Sequence, residues 1–390
     1  MSKLEKLIQQ YCPDGVEYVR LGDILSVNRG KRLTKTQLSD DGKYYVYHGS
    51  KDTPLGKYSQ FNVKGNTTIV VNTGGIGGVK YCNEDFWCSD GSFWIGHSNL
   101  LNDKYVYYYL SPKENYFASQ KRVGGVPTID RSTVENVEIP VPPLPVQEEI
   151  VRVLDTFTEL QAELQAELQK RKQQYNFYRD NLLTNFTTEQ NVKEYTLGEL
   201  GTFTRGNGLQ KKDFTREGIG CIHYGQIYTR FGAFADKTLT YVNRELASHL
   251  LQVEKGNLVI ACTSENVEDI CKSVAWLGEE NICTGGHACV FRHNQNPKYI
   301  SYFFQTEYFF NQKKKYTYGT KVKDIKPDSI AKIKIPLPSL KEQERIVSIL
   351  DNLYTLTNDL TSGLPAEIEK RRQQYEFYRD KLLTFKRKEA

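Results

Sequence analysis

From Ile150 to Leu182, apolar side chains recur at steps of three and four. The stripe runs Ile150, Val153, Phe157, Leu160, Leu164, Leu168, Tyr175, Tyr178 and Leu182, with Arg171 interrupting it. A second stripe runs Ile346, Ile349, Leu353, Leu356, Leu360, Leu364, Ile368, Tyr375, Tyr378 and Leu382, with Arg371 at the matching place. Such steps are the signature of a helix, and a stripe this narrow marks a helix that pairs with another helix through an a/d seam. The extra four-residue steps are stutters, one more in the second stripe than in the first. Each stretch, about 35 residues or roughly 50 Å as helix, is too long to lie on one small domain. The pattern predicts two long helices that form a coiled coil. Ser362-Gly363-Leu364-Pro365 breaks the second stripe and predicts a kink or restart near Gly363–Pro365, with Pro365 in the first turn of the new piece.

The two helical stretches are copies of each other. RKQQYNFYRDNLLT (Arg171–Thr184) and RRQQYEFYRDKLLT (Arg371–Thr384) agree at eleven of fourteen positions. The likeness continues outward. IPVPPLPVQEEIVRVLD from Ile139 matches IPLPSLKEQERIVSILD from Ile335, and LGDILSVNRG from Leu21 matches LGELGTFTRG from Leu197. Tyr47-His48-Gly49 meets His223-Tyr224-Gly225, and YVYYYL from Tyr105 pairs with YISYFF from Tyr299. The chain is therefore a two-fold internal repeat whose helices stayed alike while its globular parts diverged.

The globular parts read as mixed and strand-rich. TTIVV (Thr67–Val71), LVIAC (Leu258–Cys262) and KIKIPL (Lys332–Leu337) look like strands between glycine-rich turns. Pro140, Pro142, Pro143 and Pro145 close the first part, and Pro336 and Pro338 the second. Glutamates in QEEIV and KEQERIV then open the helices at their positive ends. The boundaries that follow are 1–145 for the first domain, 146–186 for a central spacer helix, 187–338 for the second domain and 339–388 for a distal helix. The central helix also carries ELQAELQAELQ (Glu159–Gln169), a tandem four-residue unit.

Composition excludes some classes. At 39% hydrophobic and 25% charged, the 390 residues are those of an ordinary globular protein. No run approaches the roughly 18 apolar residues of a membrane span, and MSKLEKLIQQYC lacks the apolar core of a leader, so the chain is expected in the cytoplasm. None of the eight cysteines has CxxC spacing, and they read as reduced, partly buried thiols. Cys283, His287 and Cys289 lack a fourth ligand, so no metal site is expected. TGGIGG (Thr73–Gly78) lacks the lysine of a phosphate loop and reads as a tight turn. The nearest approach to the N/D-P-P-Y/F loop of a DNA adenine methyltransferase is Asn296-Pro297-Lys298-Tyr299, without the second proline. No catalytic residue is assigned.

Charge points elsewhere. The net +5 is mild, with 17 Lys/Arg against 15 Asp/Glu in 1–145 and 20 against 15 in 191–335. The 26 tyrosines suit β-sheet surfaces at least as well as a nucleic-acid face. The basic loops, however, come in pairs. Arg29, Lys31, Arg32 and Lys35 sit where Arg205, Lys211 and Lys212 sit in the other half; later come Lys121 and Arg122, and Lys313, Lys314 and Lys315. These are candidates for DNA phosphates. Ser50 and Gln226, beside the paired His-Tyr-Gly turns, are candidates for reading bases.

In order and spacing, these segments resemble the specificity subunits of type I restriction–modification enzymes along essentially the whole chain. PDGVEYVRLGDI (Pro13–Ile24), the two I-P-x-P boundaries with their helix starts, and LPAEIEKRRQQYEFYRDKLLTF (Leu364–Phe385) carry the likeness. The resemblance implies an α+β fold with two target recognition domains, separated by two long antiparallel helices that form the coiled coil. Each domain would read half of a bipartite, asymmetric double-stranded DNA site, and the helices would set the gap. Two adenine methyltransferase subunits would dock on the helices, expected at Arg179-Asp180 and Arg379-Asp380, and restriction subunits would join that core. This chain would be non-catalytic and bind no cofactor; S-adenosylmethionine, ATP and magnesium would belong to partner subunits. A stand-alone DNA-modifying enzyme would need catalytic residues that are not found. A coiled-coil scaffold without DNA would leave the paired basic loops unexplained.

Overall fold

The computed structural model describes residues 2–122, 124–186, 192–358 and 362–389. The helices that organise it are α1 (Lys3–Tyr11), α2 (Asp103–Leu110), α3 (Leu144–Thr184), α4 (Pro297–Phe303), α5 (Leu340–Asn358) and α6 (Leu364–Leu382). The chain divides into two compact units, Met1–Gln165 with Ile368–Ala390, and Ala166–Glu367. These units differ from the segments drawn on the sequence, because each globular part gathers the start of its own helix and the end of the other.

In the first unit β1 (Tyr18–Arg20) pairs with β9 (Glu138–Pro140) and closes the base of the globular part. Between them lie β2 (Val27–Arg29), β3 (Tyr44–Tyr47), β4 (Gly56–Tyr58), β5 (Thr67–Val71), β6 (Val79–Cys82), β7 (Trp87–Cys88) and β8 (Ser92–Ile95). They form an antiparallel sheet in the order β2-β8-β5-β6 and a smaller sheet β4-β3-β7. All of β5 is buried because both of its faces are covered. Successive strand residues face opposite ways. Accordingly Val70 packs with Tyr105, Val106 and Leu110 of α2, while Ile69 packs with Phe86 and Cys88 beneath the smaller sheet.

The second unit repeats this plan. Its strands are β10 (Lys193–Thr196), β11 (Gly201–Arg205), β12 (Ile219–Ile222), β13 (Phe234–Ala235), β14 (Thr240–Val242), β15 (Leu251–Val253), β16 (Leu258–Ala261), β17 (Thr263–Ser264), β18 (Ser273–Trp276), β19 (Ile282–Thr284), β20 (Ala288–His293), β21 (Lys323–Asp324) and β22 (Lys334–Leu337). β10 pairs with β22, and the main sheet β11-β20-β16-β18 matches β2-β8-β5-β6, with β13 added at its edge. The parallel pair β12·β19 matches β3·β7. Leu258 and Ile260 face the helices, and Val259 and Ala261 the smaller sheet.

One polar constellation, present in both units, fastens the sheet layer to the long helix. Gln147, fully buried near the start of α3, accepts the Asn102 N–H at 2.8 Å and donates to the Leu100 and Pro142 carbonyls. Gln343 in α5 accepts the Asn296 N–H at 3.0 Å and donates to the Pro338 carbonyl and the Gln295 amide oxygen. Asn102 and Asn296 in turn cap α2 and α4. Lys104 and the Tyr108 hydroxyl meet Asp155 at 2.8 and 2.6 Å; Lys298 and the Tyr302 hydroxyl meet Asp351 at 2.6 and 2.7 Å. Tyr105 and Tyr299 donate to the carbonyls of Pro140 and Pro336. The Asn-Pro-Lys-Tyr segment at 296 is thus a helix cap and anchor, not a catalytic loop.

The helix seam is narrower than the stripes. Ile150, Leu168, Tyr175 and Ile346 are buried, and Val153, Phe157, Leu164, Leu182, Ile349, Leu353, Leu364, Ile368, Tyr375 and Leu382 are half-buried. Leu160, Tyr178, Leu356 and Tyr378 are exposed, and Leu360 lies outside the described residues. Near the globular parts the buried face turns to Val146, Ile150 and Leu154, which belong to the core beneath α2. In the first unit Phe157 of α3 stacks on Tyr378 of α6 at 5.6 Å and lies 6.4 Å from Tyr375. Lys3 of α1 binds Glu149, and Glu5 feels the charge of Lys381, so advancing along α3 means receding along α6; the two run antiparallel. In the second unit Tyr175 of α3 meets Tyr354 of α5 edge-on at 6.0 Å. Pro365 lies in the first turn of α6.

Arg152 and Lys3 clasp the buried Glu149 and pull its carboxyl down to about 2. The terminal segment then joins the first unit's base: Val16 bonds to the carbonyl of Lys386 at 2.8 Å and to the N–H of Lys388 at 3.0 Å.

The anchor yields a direct expectation. Gln343→Leu leaves the Asn296 N–H and the Pro338 carbonyl without partners in a dry site, and should cost about 2–4 kcal/mol. Gln147→Leu should do the same in the first unit. Thermal unfolding followed by hydrogen exchange locates each loss; an unchanged transition in both variants would show that the amides do not hold the layers together.

Candidate nucleic-acid interface

In each unit, loops from the strands of the main sheet converge at one sheet end. β2 ends at Arg29 and is followed by Gly30, where a Cβ would lie 2.2 Å from the Ser89 carbonyl. β11 ends at Arg205 and is followed by Gly206, where it would lie 2.5 Å from the Gly285 carbonyl. Only glycine permits so close a strand approach. The two arginines then make equivalent backbone contacts. Arg29 Nε donates to the Asp90 carbonyl at 3.2 Å, and Arg205 Nε to that of Gly286 at 3.1 Å.

Their outer ends differ. Arg205 grips Asp324 with two bonds of 3.0 and 2.7 Å. Burial pushes that carboxyl up, but the bonds from Arg205 and the Tyr318 hydroxyl outweigh it and hold it below its usual range. Arg29 is exposed, and no acidic partner faces it among the described residues. Both arginines are expected to meet phosphate, but of the two only Arg29 lacks an acidic partner among the described residues. Lys313 departs further. It is buried, with Nζ bonded to the carbonyls of Glu268 and Ile270. Gln226 spends its amide on the His223 N–H and Thr240, and Ser50 caps the loop at Asp52 and Thr53. Arg122 is exposed but ion-paired with Asp130.

The other candidates remain open to solvent. Lys31 and Arg32 follow Arg29, and Lys35 begins a short 3-10 turn, Lys35–Gln37. Lys211 and Lys212 occupy the equivalent turn, Lys211–Asp213, and each turn carries its own capping box. Lys121 is exposed. Lys314 and Lys315 are exposed beside Tyr308, Asn311 and Gln312, ahead of the loop that returns to the sheet end.

Histidines differ between the units too. His48 accepts the Gly91 N–H at 3.2 Å and faces Ser89 and Asp90. In the second unit Tyr224 lies against His223 and His287, and the His287 Nδ1 pairs with the Thr263 hydroxyl at 3.0 Å. Burial lowers the His223 pKa and favours its neutral form. On the smaller sheet of the first unit tyrosines lie under lysines, with Lys57 over Tyr45 at 5.5 Å and Lys80 over Tyr47 at 5.2 Å. Tyrosine here covers sheet faces and builds the anchors. Among the described residues no cluster of three or more His, Cys, Asp or Glu could hold a metal, and no helix is long and apolar enough to cross a membrane.

The expected docking pairs also sit differently. Arg179 is buried over the Tyr175 ring at 5.6 Å and bonds Asp180, whose other oxygen accepts the Glu307 N–H. Arg379 lies likewise over Tyr375 at 5.7 Å and bonds Asp380. What is exposed at that level is Phe177-Tyr178 and Phe377-Tyr378.

Two copies of one anchored α+β frame, each with a loop-rich and partly basic sheet end, define a duplicated nucleic-acid-reading architecture. The chain belongs to the type I restriction–modification DNA specificity family: that family's domain matches twice, at residues 13–171 and 189–370. It is a DNA-recognition subunit and not itself a catalyst. Over its whole length it is 34% identical to the EcoR124I/EcoR124II specificity subunit of Escherichia coli, covering 98% of that protein. It is 24% identical to the MjaVIII specificity subunit of Methanocaldococcus jannaschii, with 88% of each chain aligned. The S subunit of M. genitalium has the same fold, with a TM-score of 0.57 at 17% identity over 95% of this chain and 96% of that one.

Proposed function

We propose that the first unit reads one half of a split, asymmetric DNA site and the second unit reads the other half. The long helices fix the unread gap. Two copies of an adenine methyltransferase subunit dock on the repeated helices, and restriction subunits join that core. S-adenosylmethionine, ATP and magnesium are used on those partners, and the complex works in the cytoplasm, where the DNA is.

The observation that carries this reading is the anchor. The bonds of Gln147, Asn102, Lys104 and Asp155 recur at Gln343, Asn296, Lys298 and Asp351, while the sheet-end loops share few side chains. Equal frames with unequal surfaces suit two equal partners and two unequal half-sites. Arg29, Lys31, Arg32, Lys35 and Lys121 in the first unit, with Lys211, Lys212, Lys314 and Lys315 in the second, are the cations proposed to meet phosphate. Ser50, Gln226, Arg122, Arg205 and Lys313 are proposed instead to shape the loops that carry them.

Identical partners need an identical surface twice. Phe177-Tyr178 and Phe377-Tyr378 provide one: the phenylalanines are equally exposed, and each packs edge-on against its tyrosine, at 5.6 and 5.4 Å. Exposed aromatics are typical anchors of a protein interface. Phe177→Ala and Phe377→Ala should each reduce the complex from two methyltransferases per chain to one, and the double variant should bind none. Native mass spectrometry reads the ratio, and two methyltransferases on the double variant would contradict the docking site.

The spacing role rests on ELQAELQAELQ, which lies inside continuous α3. One more ELQA unit adds about 6 Å and roughly 40°, against about 3.4 Å per base pair. Methylome sequencing of a host carrying the chain and its methyltransferase should show a bipartite motif with a fixed gap. The longer variant should keep both half-sites and widen the gap by about one or two base pairs. A continuous motif, or a gap indifferent to the insertion, would overturn the reading.

A further inference from the structure

Both units carry a short β-hairpin at the sheet end that the sequence did not reveal as a pair. In the first unit Arg122 bonds through its N–H to the Thr128 carbonyl at 2.9 Å, and Thr128 bridges to Thr73 after β5. In the second, Tyr318 and Asp324 exchange two backbone bonds of 3.1 and 2.9 Å, and β21 pairs with β17 after β16. Each hairpin is tied down by the next residue. Ile129 donates to Asn72 at 3.1 Å and Ile325 to Cys262 at 3.0 Å, and both isoleucines are buried. The register therefore equates Arg122 with Tyr318, Thr128 with Asp324, and Val126 with Val322. Lys313–Lys315 is not the counterpart of Lys121-Arg122.

Between these fixed ends each hairpin exposes an apolar side chain. Val126 is 75% exposed, more than any other large apolar side chain among the described residues, and Val322 is 58% exposed. Single exposed apolar residues are common. These two stand at one register position of two loops that otherwise share almost no side chains. Glycines shape both turns. Gly125 has φ +102° with open space around it, and Gly319 has φ +98°, where a Cβ would meet the Val322 carbonyl at 2.0 Å. The flanks are cationic: Lys121 in one hairpin, Lys321 and Lys326 in the other, all exposed.

We infer that the two hairpins enter the major groove of DNA, and that Val126 and Val322 each contact the 5-methyl group of a thymine, one in each half-site. A narrow loop closed by an antiparallel bridge can enter that groove, and apolar side chains there recognise thymine methyls. The flanking lysines match the phosphate walls. The inference rests on the two-half-site reading above and adds the side chains that discriminate.

The test uses the complex with its methyltransferase and a duplex carrying the site found by methylome sequencing, with each thymine replaced in turn by deoxyuridine, which lacks only the methyl. Val322→Ala should weaken specific binding about five- to tenfold. It should abolish the effect of deoxyuridine at one position of one half-site only. Val126→Ala should do the same in the other half-site. Val322→Thr, which keeps the shape, should give an intermediate loss, whereas Lys321→Ala should weaken all duplexes alike and flatten the salt dependence. If each valine variant and every deoxyuridine substitution act independently, or if one variant affects both half-sites, the inference is overturned. A native complex without two separable half-sites would sink the underlying reading instead, whatever the valines do.

Discussion

A buried glutamine in the first turns of a long helix is the constraint on which both units depend. Gln147 and Gln343 are wholly enclosed, and each satisfies a helix cap and a carbonyl near the preceding proline segment. A buried amide leaves little freedom: with every bond made it fixes one geometry, and with one missing it is costly. The lysine–aspartate pair and the tyrosine hydroxyl one or two turns on add a second point of attachment. Two such points prevent rotation of α2 or α4 on its helix. The sheet that packs on α2 or α4 inherits that orientation, and so do the loops at its end.

With the frame fixed, the loops are free to diverge. The arginine that ends β2 or β11 shows how. Both copies keep the bond to a backbone carbonyl across the strand gap, but Arg205 meets Asp324 where Arg29 meets no acid among the described residues. The acid that neutralises Arg205 stands at the hairpin position that Thr128 holds in the first unit, where it bonds Thr73 instead. A frame that tolerates such exchanges suits a protein whose two halves must recognise different sequences.

Much of this was legible in the chain. The repeat gave the halves, the three-four stripe gave the long helices, and the apolar runs at Thr67 and Leu258 gave the central strands. The tyrosine segments at Tyr105 and Tyr299 were visible as a match, and with Gln147 and Gln343 at one repeat position they held the signal for the anchor. What concealed it was the reading of Asn296-Pro297-Lys298-Tyr299 as a broken catalytic motif, when its asparagine is a cap. The fate of individual cations was not legible. Lys313 and Lys315 look alike in sequence, and only the packing of a short helix decides that one is buried and the other exposed. The partners of Arg205 and Arg179 are likewise set by segments far away or by the turn of a helix face.

If one anchored frame presents two interchangeable reading surfaces, either surface should work in the other's place. Leu21–Glu138 can be grafted in place of Leu197–Lys334, between strands that pair in the same way in both units, and the methylome of cells that carry the graft with its methyltransferase sequenced. The expected motif is the first half-site twice, in inverted orientation, with the gap unchanged. A motif that keeps the original second half-site, or a second half unrelated to the first, would contradict it.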